Sequence, residues 1–453
     1  MIIKRLTTMS PSRIILLSAF VTIVIGTILL SLPVSQVTSI SFLNNFFVTI
    51  SAITATGLHP VPLASYSFFG QCVITGLMQI GSLGIIILTL LILHIFFKPQ
   101  RTTRKTAAEL LGVKRKRDTK RMLIFVVLFT IAIEVICALI MLIRIKVDYP
   151  LGYGFFMSLF HSVSAFTNTG FTLFTTPTDL NSMEPYNDSF IVLGTLCFLM
   201  VFGAIGFTTI KELVRYLASF TTKERYRFSL SSRIIWRTTF LLILCSFMLC
   251  LALEANHAFA GMSAGQAAMN ALFYVVSSMG NGMQAVSSAV TKVATMLLIM
   301  VIAFIGGSPG STGSGVKTTT IAIFFAAIRS AIRGKDHVIL RGQRITPSQV
   351  TKAIATLALS IPFIIVMTFL LLVSEGKITL LDGIFETVSA FANLGMSTGI
   401  TPDLTVIGRL LVCVTMLVGR LGPFTLIFAL RPNKTIGPTK EKNPSKKAKV
   451  QIP

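Results

Sequence analysis

The sequence predicts an all-α integral membrane protein made of four tandem helix–loop–helix units in a pseudo-fourfold arrangement around one central axis. Three observations predict it. Of 453 residues, 53% are hydrophobic and only 12% charged, with a mean hydropathy of +0.80; soluble domains carry about 25% charged residues. Apolar runs near 13–34, 70–97, 122–143, 189–210, 238–253, 293–305, 353–373 and 405–430 approach the roughly 20 residues that a bilayer-crossing helix needs. Between paired runs, one short segment recurs: FFVTISAITATGL (46–58), LFHSVSAFTNTGF (159–171), LFYVVSSMGNGM (272–283) and IFETVSAFANLGM (384–396).

Each segment carries a Phe four residues before a Ser: Phe47/Ser51, Phe160/Ser164, Phe273/Ser277 and Phe385/Ser389. A Gly follows at 57, 170, 282 and 395, in steps of 113, 112 and 113 residues. Self-similarity at a fixed period marks a repeat architecture. The units fall at 1–120 (loop 44–58), 121–231 (loop 155–171), 232–345 (loop 265–283) and 346–430 (loop 381–396), with a basic tail at 431–453. The first apolar run follows a basic N-terminus but ends in LPVSQV without a small-x-small cleavage pattern. It reads as a retained helix rather than a signal peptide.

Orientation follows from Lys and Arg. The loop 98–121 holds ten of them against Glu109 and Asp118, segments 211–237 and 329–352 are basic, and the tail carries seven against Glu441. Segments 35–45, 59–69, 172–188 and 398–404 contain none. Basic loops stay cytoplasmic, so both termini are expected in the cytosol and the glycine segments on the outer side. This pattern accounts for most of the +24 formal charge without nucleic acid. Anionic lipid or a docked protein is a further reading of the same loops.

Enzyme chemistry is not expected. The six cysteines (72, 137, 197, 245, 250, 413) fall in apolar segments without metal or disulfide spacing, and none of the five histidines forms an i, i+4 pair. Buried thiols of this kind act as small hydrophobes. No cofactor is expected in this chain.

The repeated element has its own chemistry. The stretch before each Gly, such as 44–54, covers roughly 15–18 Å as a helix, about half a bilayer. A half-helix followed by extended, glycine-bearing backbone is a re-entrant loop, tolerated at membrane depth only when buried or lining a wet cavity. Four such helices would aim their partly negative C-termini at the axis and favour a cation there. Glycine lets successive carbonyls turn to one side, and a ring of carbonyls can replace the hydration shell of a weakly hydrated monovalent ion. Divalent ions want carboxylates, which these segments lack at the Gly. The expected architecture is therefore a set of helix–pore-loop–helix units around one central pore for K⁺.

These motifs resemble the Trk/Ktr/HKT superfamily of potassium transporters, most closely the membrane subunit of bacterial Ktr systems. The resemblance spans about 1–430, with each filter reduced to one Gly within TATGL, TNTGF, GNGM and ANLGM. It implies a selectivity filter at Thr56–Gly57, Thr169–Gly170, Asn281–Gly282 and Leu394–Gly395. It also implies a homodimeric membrane part in contact with lipid, and a separate cytoplasmic ring of nucleotide-binding regulatory subunits docked on the basic loops. One departure stands out. Ser-to-Gly spacing is six residues in units one, two and four, but five in unit three (Ser277 to Gly282). The deletion predicts one carbonyl fewer or a distorted loop there.

Unit three carries a second oddity. Its last helix is interrupted by AFIGGSPGSTGSGVKTTT (303–320), where Gly and Pro break helices and Ser/Thr can satisfy the freed peptide groups. A polar loop at mid-membrane is expected there, acting as a gate. The resemblance matches it to the family's intramembrane gate loop, here Gly306, Gly307, Gly310, Gly313 and Gly315, with Lys317 near its end. GSTGSGVKT is not a phosphate loop, because Val316 separates Gly315 from Lys317 and no strand precedes it. Arg420, in LVGRLGPF of the last span, is a functional candidate because it is ionisable inside a membrane segment. It reads as a pore barrier; the bland alternative is a position near the cytoplasmic end, where it snorkels, or a pairing with an acid such as Glu386 or Glu134. Glu134 and Glu386, the latter at the register of His161 in unit two, read as packing or cation-attracting groups.

The function expected is K⁺ uptake through a channel-like pore, filtered by the four glycines and gated by 303–320. One alternative keeps the architecture but makes Na⁺ a conducted or activating ion. Another is a coupled secondary cation transporter, which would call for an inverted repeat and mid-membrane carboxylates.

Overall fold

The computed structural model describes residues 11–82, 116–174, 180–222 and 226–422. Most of the 98–121 basic loop, the far end of the 70–97 run and the basic tail lie outside them. The described residues form a mostly helical array.

Unit one comprises α1 (Pro11–Ser31), α2 (Phe42–Thr54) and α3 (Phe68–Ser82). Unit two comprises α4 (Lys116–Ile145), α5 (Leu151–Phe166), α6 (Phe190–Ile205) and α7 (Phe207–Thr222). Unit three comprises α8 (Leu230–Glu254), α9 (Ala264–Ser277), α10 (Val293–Ile305) and α11 (Thr318–Ile332). A small hairpin, β1 (Ile339–Leu340) paired antiparallel with β2 (Gln343–Arg344), leads to unit four. That unit comprises α12 (Pro347–Ser374), α13 (Leu380–Ala392) and α14 (Val406–Leu421).

Among the described residues, three helices are long and apolar enough to cross a bilayer: 121–145 of α4, α8 and α12. Their outward faces carry Leu128, Ile131, Phe240, Leu249, Ile365 and Phe369, all exposed. In water such stripes would be costly; in lipid they are matched to the solvent. The chain is a multi-pass membrane protein.

The second helix of each unit is different in kind. With 13, 16, 14 and 13 residues, α2, α5, α9 and α13 reach about 20–24 Å at 1.5 Å per residue and cannot span. Three of the four N-termini are built by side-chain caps, α5 starting instead after Pro150: Ser41, Ser263 and Thr379 accept the N–H of Asn44, Gln266 and Asp382. Such caps satisfy donors that the helix cannot. The reason for the repeated Phe is burial. Phe47, Phe160, Phe273 and Phe385 are at most 1% exposed.

These short helices sit between units. α5 packs on α3 of unit one, α9 on α6 of unit two, α13 on α10 of unit three, and α2 on α14 of unit four. Each inter-unit contact has the same form, and the last closes on the first.

One expectation needs correction. The run 189–210 is not one span: α6 and α7 meet at Gly206 with a bend of 107°. Gly206 takes φ +97°, and a side chain there would press on the Pro309 carbonyl. The 306–317 segment of unit three lies in the corner, where the Phe207 N–H donates to the Gly310 carbonyl at 3.0 Å.

Candidate ion-coordinating site

Each short helix ends by delivering its Ser to the loop that follows. The Ser carbonyl accepts the N–H of the residue before the Gly: Thr56 to Ser51 at 2.9 Å, Thr169 to Ser164 at 3.0 Å, Asn281 to Ser277 at 2.8 Å and Leu394 to Ser389 at 2.8 Å. The hydroxyl then pins the next peptide. Ser51 and Ser389 accept the N–H of Gly57 and Gly395 at 3.0 and 3.1 Å. Ser164 and Ser277 instead donate to the carbonyls of Phe171 and Met283 at 2.7 and 2.6 Å. All four serines are fully buried, so the repeated Ser is a two-point staple between helix and loop.

The glycines share one backbone state: φ +95° at Gly57, +81° at Gly170, +92° at Gly282 and +90° at Gly395. L-residues rarely adopt it. Space forbids a side chain as well. A Cβ on Gly57 would collide with the Thr169 carbonyl oxygen, one on Gly170 with that of Asn281, one on Gly282 with that of Leu394, and one on Gly395 with that of Thr56. The contacts run one to two, two to three, three to four and four to one. All eight sequence-predicted residues, Thr56, Gly57, Thr169, Gly170, Asn281, Gly282, Leu394 and Gly395, are therefore brought together.

The deletion in unit three does not reach the glycine. α9 stops at Ser277 itself, whereas α2 and α13 continue three residues past their serines. Gly280, at φ +119°, makes the turn that Ala55, Asn168 and Asn393 make elsewhere at φ +53°, +53° and +52°. The missing residue is absorbed at the helix end, and Asn281–Gly282 stay in register with the other three pairs.

In units two, three and four the residue three before the Ser bonds the segment beyond the Gly; unit one has Val48 there. His161 Nε2 receives the Leu173 N–H at 3.3 Å. Tyr274 shares a hydrogen bond with Ser288 at 2.9 Å. Glu386 accepts from Ser397 at 2.8 Å and from Thr401. Three different side chains at one register thus do one job, tying the descending helix to the segment beyond the Gly. Glu134 takes a hydrogen bond from Gln79 at 2.6 Å, joining α3 to α4. Glu386→Gln is expected to retain ion uptake, since hydroxyls can still donate to the amide oxygen. Glu386→Leu should destabilise the purified protein by about 1–3 kcal/mol, the cost of stranding buried polar groups. Uptake in liposomes reads the first and thermal unfolding in detergent the second; loss of uptake in a well-folded Glu386→Gln variant would mean the charge itself is needed.

Below the glycines, α10 ends at Gly306 (φ +56°) and α11 begins only at Thr318. Gly307, Gly310, Gly313, Gly315 and Lys317 lie in this break. The segment is held from several sides. Ser308 and Thr312 donate their N–H groups to Ala204 and Gly203 of α6 at 2.9 and 3.1 Å, and Gly310 accepts from Phe207 at 3.0 Å. Thr312 Oγ1 donates to the Phe166 carbonyl at 2.9 Å and accepts from Asn168 Nδ2 at 2.8 Å. Lys317 Nζ donates to the Gly313 carbonyl at 2.7 Å.

Arg420 reaches the same segment from α14. Its guanidinium donates to the Thr312 carbonyl at 2.6 Å, Ser314 Oγ at 2.9 Å, and the Gly81 and Ser82 carbonyls at 2.8 and 3.2 Å. The pairing with Glu386 or Glu134 weighed from the sequence is not formed; both carboxylates are engaged elsewhere. Two cationic side chains therefore hold adjacent loop carbonyls, at 312 and 313.

The chain matches the model of the TrkH family, described as cation transport protein, over residues 4–436. The chain belongs to the TrkH cation transport family. It is 31% identical over 425 residues to the Ktr system potassium uptake protein B of Bacillus subtilis, covering 93% of each chain. It is 32% identical over 429 residues to the protein of the same name from Vibrio alginolyticus, covering 94% of this chain and 92% of the relative. The crystal structure of the potassium transporter TrkH from Vibrio parahaemolyticus resembles it with a TM-score of 0.74 at 20% identity, over 94% of this chain and 86% of that one. These relatives are named for transport, not for an enzymatic reaction.

A second glycine period escaped the sequence reading. Gly81, Gly306 and Gly419 each follow the loop glycine of their unit by 24 residues, and Gly203 stands in the same place in unit two with a longer outer loop. Gly81, Gly203 and Gly419 back onto the carbonyls of Ile53, Phe166 and Phe391, each two residues past the repeated Ser. In unit three the equivalent Gly306 is where the helix breaks. The signal was legible as Gly-x-x-Gly at 81–84, 203–206 and 419–422, with 307–310 in unit three standing one residue past Gly306. It was hidden because glycine inside an apolar run reads as helix packing.

Proposed function

We propose that the protein carries K⁺ into the cell through one pore per chain, in four pseudo-symmetric units. The ion sheds water among the backbone carbonyls at Thr56–Gly57, Thr169–Gly170, Asn281–Gly282 and Leu394–Gly395. The observation that carries this reading is the closed circle of glycine-to-carbonyl contacts, one per unit in chain order. Four helix C-termini end at that circle and add a partly negative potential, and the carbonyl ring favours a monovalent ion over a divalent one. K⁺ is the ion named for both Ktr relatives.

The 306–317 segment is the gate and Arg420 the barrier beneath the filter. A guanidinium keeps its charge throughout the working pH range, so a cation leaving the filter meets both a loop of peptide groups and a fixed positive charge. Outward movement of the loop must break the Arg420 hydrogen bonds to Thr312 and Ser314 and those from Ser308 and Thr312 to Ala204 and Gly203. Both termini lie in the cytosol, two copies form the membrane part, and a nucleotide-binding regulatory ring docks on the basic loops. Coupled transport is less well supported, because Glu134 and Glu386 are committed to structural hydrogen bonds. Gly282 shares the backbone state of the other three glycines, so the shorter third loop gives no separate support to a path shared with Na⁺.

Growth of a K⁺-uptake-deficient bacterium expressing the protein tests this directly. Rescue at limiting K⁺, with and without Na⁺, is the expected result. Failure to rescue with the protein present in the membrane would count against K⁺ uptake, and rescue only with Na⁺ would favour the activating-ion alternative.

A further inference from the structure

The outer mouth holds one side chain that neither the repeat nor the gate explains. Asn181 comes from unit two, yet its amide nitrogen lies 2.7 Å from the Gly57 carbonyl of unit one and 3.3 Å from the Gly395 carbonyl of unit four. Its backbone is anchored to unit three: Gln284 donates to the Asn181 carbonyl at 3.1 Å, Met183 donates to Gln284 at 2.6 Å, and Ser182 pairs with Gln284 as a parallel bridge. The far end of the amide is also held, with Oδ1 2.8 Å from His59 Nε2. His59 in turn packs edge-on against Phe171 of unit two. The residue is 4% exposed.

Two carbonyl oxygens can only accept, so their presence fixes which end of the amide points at them. Carbonyls of adjacent units in a ring converge towards the axis and diverge behind it. A single nitrogen within hydrogen-bond reach of both therefore stands on the converging side, where a dehydrated cation would sit. We infer that Asn181 is a specificity-determining residue of the outer mouth, whose carboxamide takes two of the four glycine carbonyls and competes with the incoming cation for them. This rests on the filter reading of the four glycines. The amide is a tethered donor of partial positive charge; a cation must displace it to complete its shell. It thereby weakens the outermost site and keeps an ion from being held there too tightly to move on.

The test is K⁺ uptake by purified protein in liposomes, over a range of external K⁺. Asn181→Ala should lower the KM for K⁺ about three- to tenfold, the worth of one to two net hydrogen bonds. His59→Phe should shift it the same way by less, because the amide loses its anchor but not its donor. Asn181→Asp exchanges the donor for a carboxylate and should make uptake sensitive to external Ca²⁺. An unchanged or raised KM in a monodisperse Asn181→Ala protein overturns the inference. If that variant aggregates, absence of Ca²⁺ inhibition in Asn181→Asp overturns it instead. Gly57→Ser in the same vesicles separates the two readings. If Gly57→Ser alters the K⁺/Na⁺ ratio while Asn181→Ala leaves KM alone, only Asn181 has failed; if Gly57→Ser leaves the ratio unaltered, the filter itself has.

Discussion

Gly57→Ser is expected to lower the K⁺/Na⁺ uptake ratio about tenfold or more in reconstituted vesicles. Two penalties act together. At φ +95° an L-residue carries backbone strain of about 1–2 kcal/mol, which is relieved by rotating the peptides that present the carbonyls. The new Cβ also lands on the Thr169 carbonyl, which must turn away. Because each glycine backs on the next unit, displacement of one carbonyl passes to its neighbour. Gly395→Ser should act alike through Thr56. A variant that stays monodisperse in detergent yet discriminates as the parent does would remove the ring from ion selection.

Arg420→Ala is expected to raise K⁺ flux, about tenfold if it removes a little over 1 kcal/mol from the barrier. A unit charge about 4 Å from a passing cation counts about 4 kcal/mol at an effective dielectric of 20, so that figure is conservative. The variant also frees the Thr312 carbonyl and Ser314, loosening the loop. Arg420→Lys keeps the charge but not the four-way bonding, and should fall between. Deleting 308–315 should raise flux too, but at a cost in selectivity: Thr312 is tied to Asn168 and to the Phe166 carbonyl at the end of α5. Thr312 thus joins the 306–317 segment to the loop that carries Gly170. Flux that falls or stays level in Arg420→Ala, with protein and liposome content matched, would strip Arg420 of its role as barrier.

Much of the site was legible before any fold was known. Gly57, Gly170, Gly282 and Gly395 announced themselves by period, because a backbone state that only glycine takes cheaply leaves a residue-level mark. The gate segment was equally plain, since five glycines and a proline cannot continue a helix. Arg420 stood out by its charge, but its partners did not. Sequence offered two carboxylates to neutralise it; the fold supplied peptide carbonyls and a hydroxyl, from residues 106 to 339 positions away. The deletion in unit three was visible as a count, yet its consequence depended on where the helix could yield. Ending α9 early and turning at Gly280 costs one helical turn, whereas shifting Gly282 would break the contact with Leu394.

Apolar runs, glycine period and charge asymmetry thus determined the medium, the number of units and the positions that must carry glycine, because these follow from burial and local backbone freedom. Which units touch, how α6 bends beside the 306–317 segment, and that Asn181 of unit two reaches the Gly57 and Gly395 carbonyls were decided only by tertiary structure. Such contacts join residues of different units, and nothing local at either end encodes the partner: an asparagine in an outer loop looks the same whether it faces water or the carbonyls of two other units.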